Sequence, residues 1–186
     1  MYQIFEPIRK STYEKLIELL ITKSDSFIFH LPNYGKIYVN ERNKELMSEY
    51  PIGYSEEESQ EEYETYVREM DKYIDIVRED IIERYTDTGY LDQAFGYEIE
   101  IYHMAISDKT MKLLKQTDDL SKWLYPELPE NPCFLRDGKC VFECIAHEYL
   151  YFIYVEDEEI EYFLRKNNIE YVYIEYEAPN YDTMRN

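Results

Sequence analysis

The sequence has few cysteines, few glycines and no long apolar run, and each scarcity excludes a class of protein. Only 3 of its 186 residues are cysteines, which argues against a disulfide framework and for a reducing compartment. The 5 glycines stand far apart, so no glycine-rich loop is present to bind a nucleotide phosphate. No run of about 18 apolar residues occurs, and residues 1–10 lack a signal-peptide core. We therefore expect a cytoplasmic protein that does not enter a membrane.

Basic residues are also scarce. The chain has 20 Lys and Arg residues against 40 Asp and Glu residues, which gives a formal net charge of -20. Such a surface repels the phosphates of nucleic acids and of anionic membranes, so we expect no direct contact with either. A basic protein partner fits this charge. The competing interpretation is that the acidity serves solubility alone.

Apolar and aromatic residues are abundant. Hydrophobic residues make up 45% of the chain and aromatic residues 17%, with 22 tyrosines. This content is sufficient for a packed core, and we expect one domain over residues 1–186 with a candidate internal boundary in the proline-rich connector at 125–132. Tyrosine is enriched at protein interfaces because it offers a large rigid surface with a polar end. The alternative is that tyrosine replaces phenylalanine at half-buried positions.

The longest helical period lies at residues 55–85. Ser55 and Glu58 have the spacing of a capping box, and Gly89 is a candidate stop signal. Apolar residues recur at three- and four-residue steps and would form one stripe along a helix. They are Tyr63, Tyr66, Val67, Met70, Tyr73, Ile74, Val77, Ile81 and Tyr85. We predict that the stripe packs inside the molecule, and the alternative is that it forms a homodimer.

The other side of this segment is strongly acidic. Residues 55–85 contain twelve acidic and four basic side chains. We predict that this acidic surface binds a basic partner through six carboxylates: Glu57, Glu61, Glu64, Asp71, Asp75 and Glu79.

The remaining pattern predicts an α+β fold in which at least one antiparallel sheet is covered by helices, together with the long acidic amphipathic helix at about 55–85. Asp137-Gly138 between two β-favouring runs is the strongest hairpin signal in the chain. The other predicted helices are 11–23, 40–50, one that begins at Ser107 or Asp108, and 156–166. The other predicted strands are 27–31 and 36–39 as a hairpin, 97–106, 141–155 and 169–176.

Three sequence runs resemble those of a group of small proteins from spore-forming bacteria. They are IFEPIRKS at 4–11, EYPIGYS at 49–55 and CFLRDGKC at 133–140. Some members of the group, which is similar over most of the chain, carry the label "stage III sporulation protein AH". The resemblance implies a bacterial, cytosolic protein, and it supplies no activity and no site residues.

The side chains of Cys133, Cys140, Cys144 and His147 are of the types that bind zinc. A two-residue turn at Asp137-Gly138 would place all three cysteines on one face of the hairpin and His147 on the other. Two residues four apart on a strand are also about 13 Å apart, too far to share one ion. We therefore predict buried core cysteines, with no metal site and no cofactor.

Two catalytic hypotheses follow from residue types. A nucleophilic cysteine would need His30, His103 or His147 as its base, and no flanking motif supports such a pair. Glu98 and Glu100 share one strand face, as the paired carboxylates of a metal-dependent nuclease or a glycosidase do, but a solvent-facing strand has the same pattern. We assign no catalytic residue.

These observations predict a non-enzymatic interaction protein whose acidic, tyrosine-rich surface binds a basic protein, as an inhibitor or immunity-type protein does. One alternative is a DNA mimic that occludes a nucleic-acid-binding protein. A second alternative is a small hydrolase or transferase that uses a cysteine and a histidine.

Overall fold

A computed structural model describes residues 1–39, 56–87, 95–124, 127–155 and 157–181. The described α-helices are α1 (Lys10–Lys23), α2 (Glu56–Val77), α3 (Asp108–Leu114) and α4 (Glu158–Lys166). The strands are β1 (Tyr2–Ile4), β2 (Ser26–Val39), β3 (Ile81–Asp87), β4 (Phe95–Ala105), β5 (Glu130–Arg136), β6 (Lys139–Ile145), β7 (Leu150–Ile153) and β8 (Tyr171–Tyr173). No helix within these ranges is long and apolar enough to cross a membrane.

The eight strands form one antiparallel sheet in the order β3-β4-β2-β5-β6-β7-β1-β8. The α+β prediction is confirmed at this level. All four helices contribute to the large hydrophobic core on one side of the sheet, which we call the helix face. A smaller cluster that contains Cys133 and Cys140 lies on the other side, which we call the cysteine face. Successive strand residues alternate between the two faces.

Helices α1 and α4 follow the predicted periodicity. The buried residues of α1 are Tyr13, Leu16, Ile17 and Leu20, and those of α4 are Ile160, Phe163 and Leu164. In both helices the three- and four-residue spacing places the apolar side chains on one side, toward the sheet. The Ser11-Thr12-Tyr13-Glu14 run has the spacing of a capping box, but the helix begins earlier, at Lys10, and its N-cap residue Arg9 makes no side-chain cap hydrogen bond.

The prediction of one helix across 55–85 is wrong at its C-terminal end. Helix α2 ends at Val77, a short 3-10 turn follows at Arg78–Asp80, and β3 begins at Ile81. The apolar residues Ile81 and Tyr85 therefore belong to a strand. Their four-residue spacing fits a helix and also fits one face of a strand, so the periodicity alone could not separate the two.

The predicted hairpin at 27–39 is also wrong. Residues 26–39 form the single strand β2, which pairs with β4 along its length and has an irregular register between Asn33 and Ile37. The Pro32-Asn33-Tyr34-Gly35 run therefore accompanies an irregularity in one strand, not a reversal of the chain. The helix predicted at 40–50 lies outside the described residues.

The Asp137-Gly138 hairpin is confirmed. Arg136 pairs with Lys139, and Asp137 and Gly138 both have positive φ angles, 50° and 73°. Two consecutive positive φ angles are the requirement of a type I′ turn, whose twist matches that of the flanking strands.

The strand predicted from Val141 to Val155 is interrupted. Strand β6 ends at Ile145, a 3-10 turn covers Ala146–Glu148, and β7 begins at Leu150. Tyr149, with φ 53°, reverses the chain in the left-handed region. The sequence here is almost continuously apolar, so its pattern did not indicate this reversal.

A buried polar chain links three elements of the helix face. The Trp123 indole N–H donates to the Tyr13 hydroxyl at 3.0 Å, and that hydroxyl donates to the Leu114 carbonyl oxygen. The Trp123 ring stacks on Phe29 with 4.9 Å between ring centroids. These contacts join α1, the end of α3 and β2, and the hydrogen bonds satisfy polar groups that water cannot reach.

We expect Tyr13→Phe to destabilise the protein by about 2–4 kcal/mol, because both the Trp123 N–H and the Leu114 carbonyl would lose a buried partner. Equilibrium unfolding in urea measures this change. The matched control is Tyr162→Phe, whose ring is 62% exposed and which should change stability by less than about 0.5 kcal/mol. A loss below about 1 kcal/mol for Tyr13→Phe would contradict the role given to this chain.

Candidate functional site

The six carboxylates predicted to bind a partner lie on or just after α2. Glu61, Glu64, Asp71, Asp75 and Glu79 are exposed. Glu57 belongs to the helix by its backbone, and its side chain lies outside the described part of the structure. The outward position of the five described side chains agrees with the burial of Tyr66, Met70, Ile74 and Val77 on the opposite side of the helix.

Neighbouring cations neutralise part of this surface. Asp75 pairs with Arg78, and Glu79 pairs with Lys109 at 2.6 Å. The Lys109 ammonium lowers the pKa of the Glu79 carboxyl by hydrogen bonding and by its charge. A third pair joins Lys72 and Glu69 at 2.5 Å. A partner would have to compete with these cations, so α2 presents less unpaired negative charge than its sequence suggests.

A second acidic surface lies at the end of the sheet, on and beyond β8. We call it the edge surface, and it consists of Glu170, Val172, Tyr173, Glu175, Tyr176 and Glu177. Val172, Tyr173 and Tyr176 are 51%, 50% and 60% exposed, which is high for side chains of this size. The three carboxylates are also exposed. Apolar contact area and negative charge therefore lie side by side.

The carboxylates of the edge surface have no internal counterions. Glu170, Glu175 and Glu177 form no ion pair with any residue in the described ranges. Residues 170–181 contain these three acidic side chains and no lysine or arginine. A basic segment that approached this edge would pair with them without displacing a resident cation.

The edge surface is firmly attached to the sheet. The Tyr2 ring contacts the rings of Tyr171 and Tyr173, with centroids 5.3 and 5.7 Å apart. The Met1 amino nitrogen donates to the Ile174 carbonyl oxygen at 2.7 Å, and the Ile174 N–H donates back to Met1 at 3.0 Å. β8 is the last strand in the order, so no further strand of the described chain adjoins its outer side.

The cysteines are divided between the two faces, and the prediction that all three share one face is wrong. The Sγ atoms of Cys133 and Cys140 are 3.4 Å apart in the cluster on the cysteine face. Cys144 lies in the large core, where its thiol contacts the Leu120 carbonyl oxygen at 3.9 Å. All three thiols are buried and unbridged.

A β-bulge explains this division. Phe134 pairs with Phe142, whereas Leu135 pairs with Cys140, so Val141 is an extra residue in β6. One extra residue moves every later side chain of the strand to the opposite face of the sheet. The prediction placed Cys133 opposite Phe142 in a regular ladder, and the bulge shifts that pairing by one residue.

The cysteine pair shares its surroundings with a carboxylate and two phenols. The Tyr154 hydroxyl donates to Glu143 at 2.9 Å, and the Tyr181 phenol interacts with the Cys133 thiol. Burial raises the pKa of Glu143, and the Tyr154 hydrogen bond offsets only part of this rise. The neighbouring Cys133 thiol, together with burial, raises the pKa of Cys140 well above its usual range. Cys140 is therefore held as a neutral thiol in this structure.

Residues 178–181, which we call the C-terminal strap, lie beside this cluster. The Cys140 N–H donates to the Pro179 carbonyl oxygen at 2.9 Å, and the Tyr181 N–H donates to the Gly138 carbonyl oxygen at 3.0 Å. Asn180 forms an isolated bridge with Lys139, and the Tyr176 ring lies 6.3 Å from that of Tyr154. The strap therefore follows the edge of the β5-β6 hairpin and places Tyr181 on the thiols.

The zinc ligand set considered from the sequence is not brought together. Cys144 lies on the opposite face from Cys133 and Cys140, and His147 is exposed beside Glu148 at 3.5 Å. Among the described residues, no group of three or more histidine, cysteine and acidic side chains is placed to hold a metal ion. His30 lies on β2, where its Nδ1 is 3.1 Å from the Asn131 carbonyl oxygen.

The carboxylate pair considered on β4 is described only in part. Glu100 forms an ion pair with Arg84 at 2.5 Å and accepts a hydrogen bond from the Tyr102 hydroxyl at 3.3 Å. The Arg84 guanidinium also lies 5.0 Å from the centre of the Tyr102 ring. The side chain of Glu98 lies outside the described part of the structure. Glu100 thus belongs to an ion-pair and cation–π cluster between β3 and β4.

Sequence reasoning missed both the edge surface and the thiol contact. Alternation in residues 169–176 predicted a closing strand, but it carried no information about which strand ends the sheet. The interleaving of Glu170, Glu175 and Glu177 with exposed aromatic residues was the available signal. The sequence placed Cys133 and Cys140 on one face of the hairpin but could not give the 3.4 Å separation of their sulfur atoms. The bulge at Val141, which moves Cys144 to the other face, has no glycine marker in the sequence.

The comparisons with known proteins found no matching family model, no matching curated protein and no matching solved structure. The geometry of the chain's own side chains therefore carries the functional argument.

We expect Glu143→Gln to stabilise the protein at neutral pH. The pKa of Glu143 is raised in the folded state, so the folded protein retains a proton that the unfolded chain releases as the pH rises. Ionisation of Glu143 thus lowers stability above the usual carboxyl range, and a neutral glutamine removes this cost while still accepting from Tyr154.

Urea unfolding at about pH 7.5 and at about pH 4.5 tests the sign of this linkage. The gain should be present at the higher pH and should shrink at the lower pH, because the raised pKa of wild-type Glu143 favours its protonated form there. Glu148→Gln, at an exposed position beside His147, is the matched control and should show no such gain. A loss of stability at the higher pH would contradict the burial argument.

Proposed function

We propose that this chain is a non-enzymatic interaction protein that binds a basic protein segment at its edge surface. The observation that carries the proposal is the combination of exposed Val172, Tyr173 and Tyr176 with three carboxylates that lack internal counterions. Aromatic rings and carboxylates together suit lysine and arginine side chains, whose stems pack on the rings while their charges meet the carboxylates.

The location at a sheet edge supports an extended partner. A segment that adds a strand beside β8 would gain main-chain hydrogen bonds, and its alternate side chains would meet the two sides of the edge. The partner's basic residues would lie near Glu170, Glu175 and Glu177. The net charge of -20 would accelerate the encounter with a cationic partner and would discourage anionic ones.

The edge surface replaces helix α2 as the principal site in this proposal. On α2, Asp75 and Glu79 already have cationic partners, whereas the edge carboxylates have none in the described chain. The remaining acidic residues of α2 contribute to long-range attraction. We also propose, from the cysteine usage and the resemblance to proteins of spore-forming bacteria, that binding takes place in a bacterial cytoplasm.

Affinity capture with matched variants tests this proposal. Tagged wild-type protein is incubated with extract of the source cells at about 0.05 M and about 0.5 M salt, because charge pairing weakens as the Debye length falls. The edge variant carries Glu170→Gln, Glu175→Gln and Glu177→Gln. The control variant removes the same amount of charge from α2 through Glu61→Gln, Glu64→Gln and Asp71→Asn.

We expect wild-type protein to retain a basic protein in stoichiometric amount at low salt and to lose it at high salt. The edge variant should bind the purified partner about tenfold more weakly, which corresponds to about 1.4 kcal/mol over three charge contacts. The α2 variant should change the affinity by less than about twofold.

Three results would overturn the proposal. They are an empty capture from folded protein, a partner without net positive charge, and weaker binding by the α2 variant with full binding by the edge variant. A captured DNA-binding protein that DNA displaces from the edge surface would instead support the DNA-mimic version of the same interaction.

A further inference from the structure

Two thiols in direct contact are the least expected feature of the cysteine face. The Sγ atoms of Cys133 and Cys140 are 3.4 Å apart, on adjacent antiparallel strands. A disulfide bond is about 2.05 Å long, so the sulfur atoms need to approach by only about 1.4 Å. The bulge at Val141 lies next to Cys140, and a ladder that already departs from regular pairing can adjust to this approach.

The cover over this pair differs from the cover over Cys144. Cys144 is enclosed in the large core under the helices. Cys133 and Cys140 lie beside the C-terminal strap, which is held by hydrogen bonds from the Cys140 and Tyr181 N–H groups and by the Tyr181 phenol. These contacts and the Asn180–Lys139 bridge have to break for the strap to lift, and a segment attached at a few points can open locally without global unfolding.

We propose that Cys133 and Cys140 form a dithiol–disulfide site that a low-molecular-weight disulfide oxidises when the C-terminal strap lifts. The inference is independent of the partner proposed for the edge surface. It assigns a modification site to the cysteine face and gives the strap the role of its cover.

The small disulfide is the only oxidant that the reaction needs. One cysteine thiolate attacks a sulfur atom of the reagent, forms a mixed disulfide and releases one small thiolate. The second cysteine thiolate then attacks the protein sulfur of that mixed disulfide, forms the Cys133–Cys140 bond and releases the second small thiolate. The two protons lost by the cysteines are taken up by the two released thiolates, so the reagent is reduced to two thiols.

Because the two thiols are buried, the reaction depends on the lifting of the strap. Exchange requires a thiolate, and the closed structure holds the pKa of Cys140 well above its usual range. Lifting of the strap would hydrate the thiols and remove the Tyr181 phenol from Cys133. The rate of oxidation should therefore follow the strength with which the strap is held.

The test uses oxidised glutathione as the probe with folded, full-length protein. After quenching with an alkylating reagent, peptide mapping by mass spectrometry should find one intramolecular Cys133–Cys140 disulfide and an alkylatable Cys144 after unfolding. Cys144→Ala should form the same bond at a similar rate. Cys140→Ser should form none.

Variants of the cover test the role of the strap. Tyr181→Ala should speed oxidation about tenfold, since it removes a half-buried ring and its contact with the thiol. Tyr162→Ala, at an exposed position on α4, is the matched control and should leave the rate unchanged. Circular dichroism tests whether each variant is folded. If Cys140→Ser does not fold, the peptide map of the wild-type protein alone shows whether the Cys133–Cys140 bond forms.

The proposal is overturned if the folded wild-type protein yields no Cys133–Cys140 bond while the urea-unfolded chain oxidises readily. It is also overturned if Cys144 takes part in the bond, or if only mixed disulfides accumulate. An unchanged rate in the Tyr181→Ala protein would remove the strap from the account.

Discussion

The attachment of β8 to the sheet depends on three residues. β1 spans only Tyr2–Ile4, yet it pairs with β7 on one side and with β8 on the other. The β8 strand has no other neighbour in the described sheet. Tyr2 and Ile4 are buried in the large core, and this burial holds the short strand in register. The edge surface depends on this pairing, because it includes β8.

This arrangement gives the two faces of the sheet different characters. The helix face is a continuous apolar core with a buried polar chain through Tyr13 and Trp123. The cysteine face holds a small apolar cluster with two thiols, the half-buried carboxylate Glu143 and the phenols of Tyr154 and Tyr181. The two faces thus bury different kinds of side chain.

Local signals predicted much of the fold. The Asp137-Gly138 turn, the N-cap at Ser107 and the apolar spacing of α1 and α4 each act within a few residues, so the sequence was sufficient to locate them. Errors occurred where a pattern fitted both the helical and the strand period, or where strand pairing overrode a local turn signal. Ile81 and Tyr85 fitted both a helix and a strand, and pairing with β4 continues β2 past Pro32 and Gly35.

The site was less predictable than the fold, for a physical reason. Composition indicated an acidic, tyrosine-rich surface, but the position of unpaired charge depends on which cations lie nearby. Lys109 reaches Glu79 from a distant part of the sequence, and no spacing rule predicts that contact. The separation of Cys144 from the other two cysteines likewise depends on one extra residue in a strand. Such features arise from register, which single-sequence patterns constrain only weakly.

Hydrogen–deuterium exchange on the purified protein, with and without its captured basic partner, would locate the surface that the partner binds. If the edge surface is the binding site, the partner should slow exchange of backbone amides in residues 170–177. Exchange in residues 61–79 of the α2 region should stay unchanged. Protection confined to residues 61–79, with no change at 170–177, would show that the partner binds the acidic helix and not the edge surface.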